Sequence, residues 1–261
     1  MEFQTLRAAR LLATLLVLGA AGMPHAQSGP SEEDLKRANN PLADVKAFNL
    51  QNYFVPKLAG LDGATANTFW LRGVVPFGRV LVRASLPLPT VPTGPASTSG
   101  LGDFNMFAAY LAKQSPSANI GFGPLLAVPT ASKDELGAGK WQGGAAAVAF
   151  MMPSVQIQYG ALVTWQASFA GKEERADTSV LVTQPFLMLQ LGGGNYLRGA
   201  PIAAFNLRNG DYAVPFGLGL GKVVKVETIV FNIFLEPQFT ILHQGVGQPL
   251  VQIFTGMNMQ F

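Results

Sequence analysis

Pro249-Leu-Val-Gln-Ile-Phe-Thr-Gly-Met-Asn-Met-Gln-Phe261 ends the chain in an alternation of apolar and mostly polar residues. Successive side chains of a strand point to opposite faces. Val251, Ile253, Thr255, Met257, Met259 and Phe261 therefore share one face, and Gln252, Phe254, Gly256, Asn258 and Gln260 share the other. An apolar face, a mostly polar face and a terminal aromatic residue form the pattern of a strand that closes an outer-membrane β-barrel. The edge strand of a soluble sandwich alternates as well, so the rest of the chain has to decide.

The pattern recurs upstream. Ile157, Tyr159, Ala161, Val163, Trp165, Ala167 and Phe169 oppose Gln156, Gln158, Gly160, Thr164, Gln166 and Ser168. Ile229, Phe231, Ile233, Leu235, Phe239 and Ile241 oppose Asn232, Glu236, Gln238 and Thr240. Turn signals divide the chain from Val45 onward into about twelve segments of strand length. These are 45–58, 66–76, 78–88, 101–113, 119–128, 140–151, 155–170, 179–191, 195–206, 211–223, 228–242 and 249–261.

Three features select the membrane version. The polar faces carry Gln, Asn, Thr, Ser and Gly, whereas a solvated face carries Lys and Glu. Several segments match the roughly 9–11 residues that a tilted membrane strand needs. The connections also alternate. Those at Pro76–Gly78, Met152–Ser154 and Gly192–Asn195 are tight, while Leu88–Gly100, Pro129–Gly139 and Gly171–Thr178 are long and polar. Short periplasmic turns opposite long outer loops are the outer-membrane arrangement. An open edge would leave bare amides in hydrocarbon, so the last strand is expected to pair with the first, with Phe261 at the periplasmic rim.

Composition agrees. Of the 261 residues, 49% are hydrophobic and only 13% charged, against about a quarter charged in soluble domains. The net charge of +3 and the lack of a basic run with interleaved aromatics argue against a nucleic-acid partner. Cysteine is absent, which excludes disulfides, thiolate metal sites and a cysteine nucleophile. Residues 1–26 read as a cleaved signal peptide: Arg7 and Arg10 precede an apolar run from Leu11 to Gly22. Residues 27–44 read as a periplasmic arm or a small plug, with Ser31-Glu-Glu-Asp34 opening like a capped helix.

Several stretches also carry a family resemblance. Asn40-Pro-Leu-Ala-Asp44, Gly100-Leu-Gly-Asp103, Gly139-Lys-Trp141, Gln184-Pro-Phe186 and Val214-Pro-Phe-Gly-Leu-Gly-Leu-Gly-Lys222 resemble the outer-membrane transporter family labelled with the meta-pathway of phenol degradation. The resemblance implies an outer-membrane barrel that passes small compounds, aromatic ones among them. It implies no particular site residues. Met259 departs from the aromatic residue often found two places before a terminal Phe in such barrels.

Catalytic chemistry has little to work with. Of the two histidines, His25 falls in the signal, leaving His243 at a strand end, and the neighbouring segment 249–261 contains no serine for a nucleophilic pair. No enzyme, metal or cofactor is expected. The mixed charges around Asp134, Lys172, Glu174 and Arg175 read as a solvated loop surface. Lys222 and Lys225 read as interface markers near a turn.

A charged residue facing lipid at mid-depth costs about 2–4 kcal/mol for Arg, so Arg72, Arg83 and Glu236 are expected to face the lumen. With Asn232, Gln238, Gln158 and Gln166 they are the candidates for a constriction. A barrel of about twelve strands falls between side-chain-filled eight-strand barrels and open porins. The expectation is an all-β, transmembrane, antiparallel up-and-down barrel over 45–261 in the bacterial outer membrane, a channel or transporter for facilitated diffusion. Its partners would be lipid, lipopolysaccharide, the assembly machinery at the strand ending in Phe261, and a small solute. The alternative is a structural or surface-interaction barrel with a plugged lumen.

Overall fold

The computed structural model describes residues 29–261; the expected signal, residues 1–26, lies outside them. The chain first forms α1 (Glu32–Ala38). The Ser31 hydroxyl accepts a hydrogen bond from the Asp34 amide, and the Asp34 carboxylate accepts one from the Ser31 amide. This reciprocal cap fixes where the helix starts.

The strands are β1 (Ala47–Leu58), β2 (Ala66–Phe77), β3 (Val80–Thr93), β4 (Ala96–Ser99), β5 (Phe104–Ser115), β6 (Ala118–Val128), β7 (Lys140–Met151) and β8 (Ile157–Gly171). They continue with β9 (Ser179–Gly192), β10 (Asn195–Gly199), β11 (Ala203–Asn206), β12 (Tyr212–Gly217), β13 (Gly219–Val226), β14 (Ile229–Gln244) and β15 (Pro249–Gln260). Neighbours pair antiparallel, and β1 meets β15 from Ala47 opposite Gln260 to Leu58 opposite Pro249, which closes the sheet. β10 and β11 are halves of one barrel strand, as are β12 and β13, while β4 only prolongs a hairpin with β3. The wall is therefore a closed barrel of 12 strands.

Each expected segment becomes one barrel strand. One connection differs: Leu88–Gly100, read as a loop, is largely the β3–β4 hairpin, with Thr90 opposite Ser99 and Gly94 turning at φ +69°. Backbone pairing continues along this hairpin, and the Thr90 and Ser99 hydroxyls lie 2.8 Å apart across it.

Burial on β14 fixes which face looks out. Leu235 and Phe239 are 42% and 55% exposed, whereas Glu236 and Gln238, between and beside them, are 0% exposed. On β8, Trp165 and Phe169 look out while Gln158 is buried. Apolar side chains outside and amides inside are what hydrocarbon demands of a closed ladder. No helix among the described residues is long and apolar enough to cross a membrane; the crossing is made by strands. The tight turns at Gly78-Arg79, Pro116-Ser117, Gly193-Gly194 and Glu227-Thr228 lie at the end that holds α1. Short turns mark the periplasmic end.

Candidate functional site

The lumen has three levels. At the periplasmic level the wall holds α1. Asn232 Nδ2 donates to the Ala38 carbonyl and to Asn39 Oδ1, both at 2.9 Å, and the Tyr196 hydroxyl donates to Asn232 Oδ1 at 2.5 Å. Gln158 Nε2 donates to the Leu35 carbonyl at 3.1 Å. Lys225, expected only to mark the interface, lies 3.0 Å from the Asp34 carboxylate. Burial pushes that carboxyl up, but hydrogen bonds from the Ser31 hydroxyl and amide, with the bond and charge of Lys225, outweigh it and hold Asp34 below its ordinary value. Past the helix the chain turns inward, and Leu42 is buried against Phe107, Leu111, Leu125 and Val148.

The middle level contains a cavity of about 140 Å³ bordered by Arg72, Arg83, Arg198, Gln51, Asn258 and Phe254, with Asn40 and Ala43 of the N-terminal segment on its other side. Arg72 Nη1 donates to Gln51 Oε1, and its guanidinium lies 4.5 Å from the Trp70 ring centre. The guanidinium of Arg83 lies 4.8 Å from the Phe107 ring centre. Among the described residues, no carboxylate lies within ion-pair distance of either arginine. Arg198 differs. Its Nε donates to Glu236 Oε2 at 2.7 Å, with the guanidinium 3.6 Å from the Phe234 ring centre. Glu236 Oε1 accepts from the Ala200 amide at 2.9 Å and from Gln238 Nε2 at 2.8 Å, and Gln252 Nε2 donates to Gln238 at 2.7 Å. A buried carboxylate is tolerated when it is paired and saturated with donors in this way.

Glycines on the neighbouring strand make room. A Cβ on Gly217 would lie 2.4 Å from Glu236 Oε1, and one on Gly221 would lie 2.1 Å from the Tyr196 ring. Gly217-Leu-Gly-Leu-Gly221 is therefore a row of gaps for inward side chains.

At the extracellular level Gln166 Nε2 donates to Gln142 Oε1 at 2.9 Å, and the Thr178 hydroxyl donates to the same atom at 3.0 Å. The loops above are strapped together. The Asp103 carboxylate accepts from the Ala131 and Ala138 amides, and the Arg175 guanidinium donates to the carbonyls of Asp134, Gly137 and Ala138. Lys172 pairs with Asp134 at 2.7 Å and, through that hydrogen bond and its charge, holds the carboxyl below its ordinary value. Arg175 and Asp134 thus brace the surface as well as being solvated.

The seven residues singled out from sequence all line the interior but do not form one ring. Arg72 and Arg83 share the central cavity, and Glu236 with Gln238 flanks it through Arg198. Gln158 and Asn232 are engaged with α1, and Gln166 lies near the outer mouth. Arg198, Gln51 and Phe254 were missed. The lipid-cost argument that turned Arg72 inward applies equally to Arg198, mid-strand on the face of Tyr196. Phe254 stood among polar residues, yet it stacks on Tyr53 with ring centres 4.1 Å apart. His243 is exposed at the outer end of β14, and the flanking strands β12, β13 and β15 contain no serine.

Solved structures share this architecture. The fold is similar to that of an outer membrane channel from Pseudomonas putida F1, with a TM-score of 0.59 and 12% identity over 84% of this chain and 97% of that one. It is also similar to the NanC porin, with a TM-score of 0.53 and 9% identity over 82% of this chain and 98% of that one. No protein-family model matches the sequence, and no curated protein matches it. With its apolar exterior, polar lumen and closed ladder of 12 strands, the chain is an outer-membrane β-barrel.

Proposed function

We propose that the barrel is a narrow channel for facilitated diffusion of small solutes, and that it favours anions with an apolar or aromatic body. The observation that carries this reading is the central cavity, where Arg72 and Arg83 have no carboxylate partner, each guanidinium lies over an aromatic ring, and Phe186, Phe234 and Phe254 form part of the wall. Fixed charge in a confined lumen sets which ions and solutes pass. The sequence resemblance to the transporter family labelled with phenol degradation supports the aromatic part. Ion current through the purified protein in a planar bilayer is the test. Under a salt gradient the reversal potential should report anion preference, and Arg72→Ala or Arg83→Ala should each reduce that preference. An unaltered reversal potential in both variants would remove the arginines from the filter.

The second reading, a structural barrel, draws on the N-terminal segment, since Leu42 and its neighbours fill part of the lumen. We take this segment as a plug that narrows the channel. Deleting residues 29–44 should then raise conductance, and a silent barrel before and after deletion would favour the structural reading. We further take Phe261, exposed at the periplasmic rim, as the handle for the assembly machinery, and the extracellular loops as the contact with lipopolysaccharide. No enzymatic role is proposed; lipid hydrolysis abolished by His243→Ala would reverse that view.

A further inference from the structure

The N-terminal arm occupies the periplasmic end of the lumen unevenly. Among the described residues, the wall's hydrogen bonds to α1 come from β8, β13, β14 and β15. Gln158, Lys225 and Asn232 are joined there by Gln260, whose Nε2 donates to the Arg37 carbonyl at 3.0 Å. These strands belong to one arc of the barrel, and β7, β6 and β5 continue the wall beyond β8. Facing that second arc, the helix leaves a cavity of about 680 Å³, with Glu32, Lys36 and Arg37 on the arm and Ser117, Asn119 and Phe150 on the wall. The opposite flank keeps only about 150 Å³, beside the Asp34–Lys225 pair and the Gln260 bond to Arg37.

Past α1, the turn Asn40–Ala43 separates the larger cavity from the central one that holds the arginines. Asn40 and Ala43 border both. The turn is held firmly. The Ala43 amide donates to the Asn40 carbonyl at 3.2 Å, the Leu42 amide donates to Asn40 Oδ1 at 2.9 Å, and Leu42 is buried in the wall. Between the two spaces at Ala43 there is thus one turn of chain carrying a methyl group. Withdrawing the whole arm would break its bonds to four strands and expose Leu42. Passage beside Ala43 leaves them in place.

We propose that solutes leave the arginine cavity beside a stationary arm, on its β5–β7 flank, and that Ala43 sets the size of what passes. This exit rests on the channel reading. The mouth beyond it carries charges of both signs, Lys36 and Arg37 against Glu32, Glu33 and Asp44. Charge is therefore sorted at Arg72 and Arg83, and size at Ala43.

The test places a bulky neutral group on each flank of the assembled protein in turn. Ser117 lines the larger cavity and Thr228 the smaller one, and both are exposed residues of periplasmic turns. The chain has no cysteine, so Ser117→Cys and Thr228→Cys each carry a single thiol. Each full chain is labelled with N-phenylmaleimide after folding in detergent, and its current in a planar bilayer is compared with that of the unlabelled protein. Labelling Ser117→Cys should cut conductance several-fold and leave the reversal potential under a salt gradient unchanged. Labelling Thr228→Cys should alter neither. Ala43→Trp should also lower conductance several-fold, and the labelled pair keeps the idea falsifiable if that variant does not assemble. Equal loss from both labels would mean that the arm moves or that solutes use both flanks, and would overturn the exit. So would loss from the Thr228→Cys label alone. A reversal potential shifted by the Ser117→Cys label would refute the division between charge and size. Current that this label leaves intact sinks the exit alone; absence of current in the unlabelled chains sinks the channel reading with it.

Discussion

Glu236 concentrates the cost of folding this lumen on one carboxylate. It sits at 0% exposure with Arg198 on one oxygen and the Ala200 amide and Gln238 on the other. Removing one partner of a buried ion pair costs about 3–5 kcal/mol, because the other charge stays buried without its complement. Glu236→Ala is therefore expected to lower the urea midpoint for unfolding from lipid vesicles, by more than Arg83→Ala does, since Arg83 has no acid to orphan. Gly221 makes a steric prediction at the same scale. Gly221→Val would drive a side chain into the Tyr196 ring, and overpacking of this kind costs about 1–3 kcal/mol. The heat-modified band on a gel would show it as a lower melting temperature.

Among the elements, α1 is the piece whose attachment depends on pH. The Asp34 carboxylate is stabilised in the docked state by Ser31 and Lys225, so its folded value lies below the ordinary 3.8. A group with a depressed value contributes attachment above its free value and loses it as pH falls through the folded one. The helix should thus stay docked through mildly acidic conditions and release only below pH 3.8, whereas Asp34→Asn should weaken it at neutral pH as well. A fluorophore on Glu32→Cys, the only thiol in such a chain, would follow the release. The strands were legible in the sequence because alternation is local: each residue reports the medium on its own side. The inward direction of Arg72, Arg83 and Glu236 followed from the same logic. What α1 touches was not legible, since Asn232 and Ala38 lie far apart in the chain and meet only once the barrel has closed. The split of 195–206 into β10 and β11 also escaped, although Pro201 and Pro215 marked the place. Phe254 and Phe234 were obscured because a narrow lumen is partly filled by rings, and a ring on the inner face reads like a flaw in the alternation.

For the whole molecule, the decisive bond is the seam where β1 meets β15, Ala47 facing Gln260. A chain stopped at Gln248 should give no heat-modifiable folded band at all, rather than a barrel one strand smaller, because β1 and β14 would both be left with bare edges in lipid. Detection of a stable folded band from that shortened chain would refute this. The seam also imposes an order in time. Its two lips are the earliest and the latest wall pieces to leave the ribosome, so the cylinder cannot be finished while its tail is still being made. Until the last residue is in place both lips stay unsatisfied, and neither can be sealed without the other.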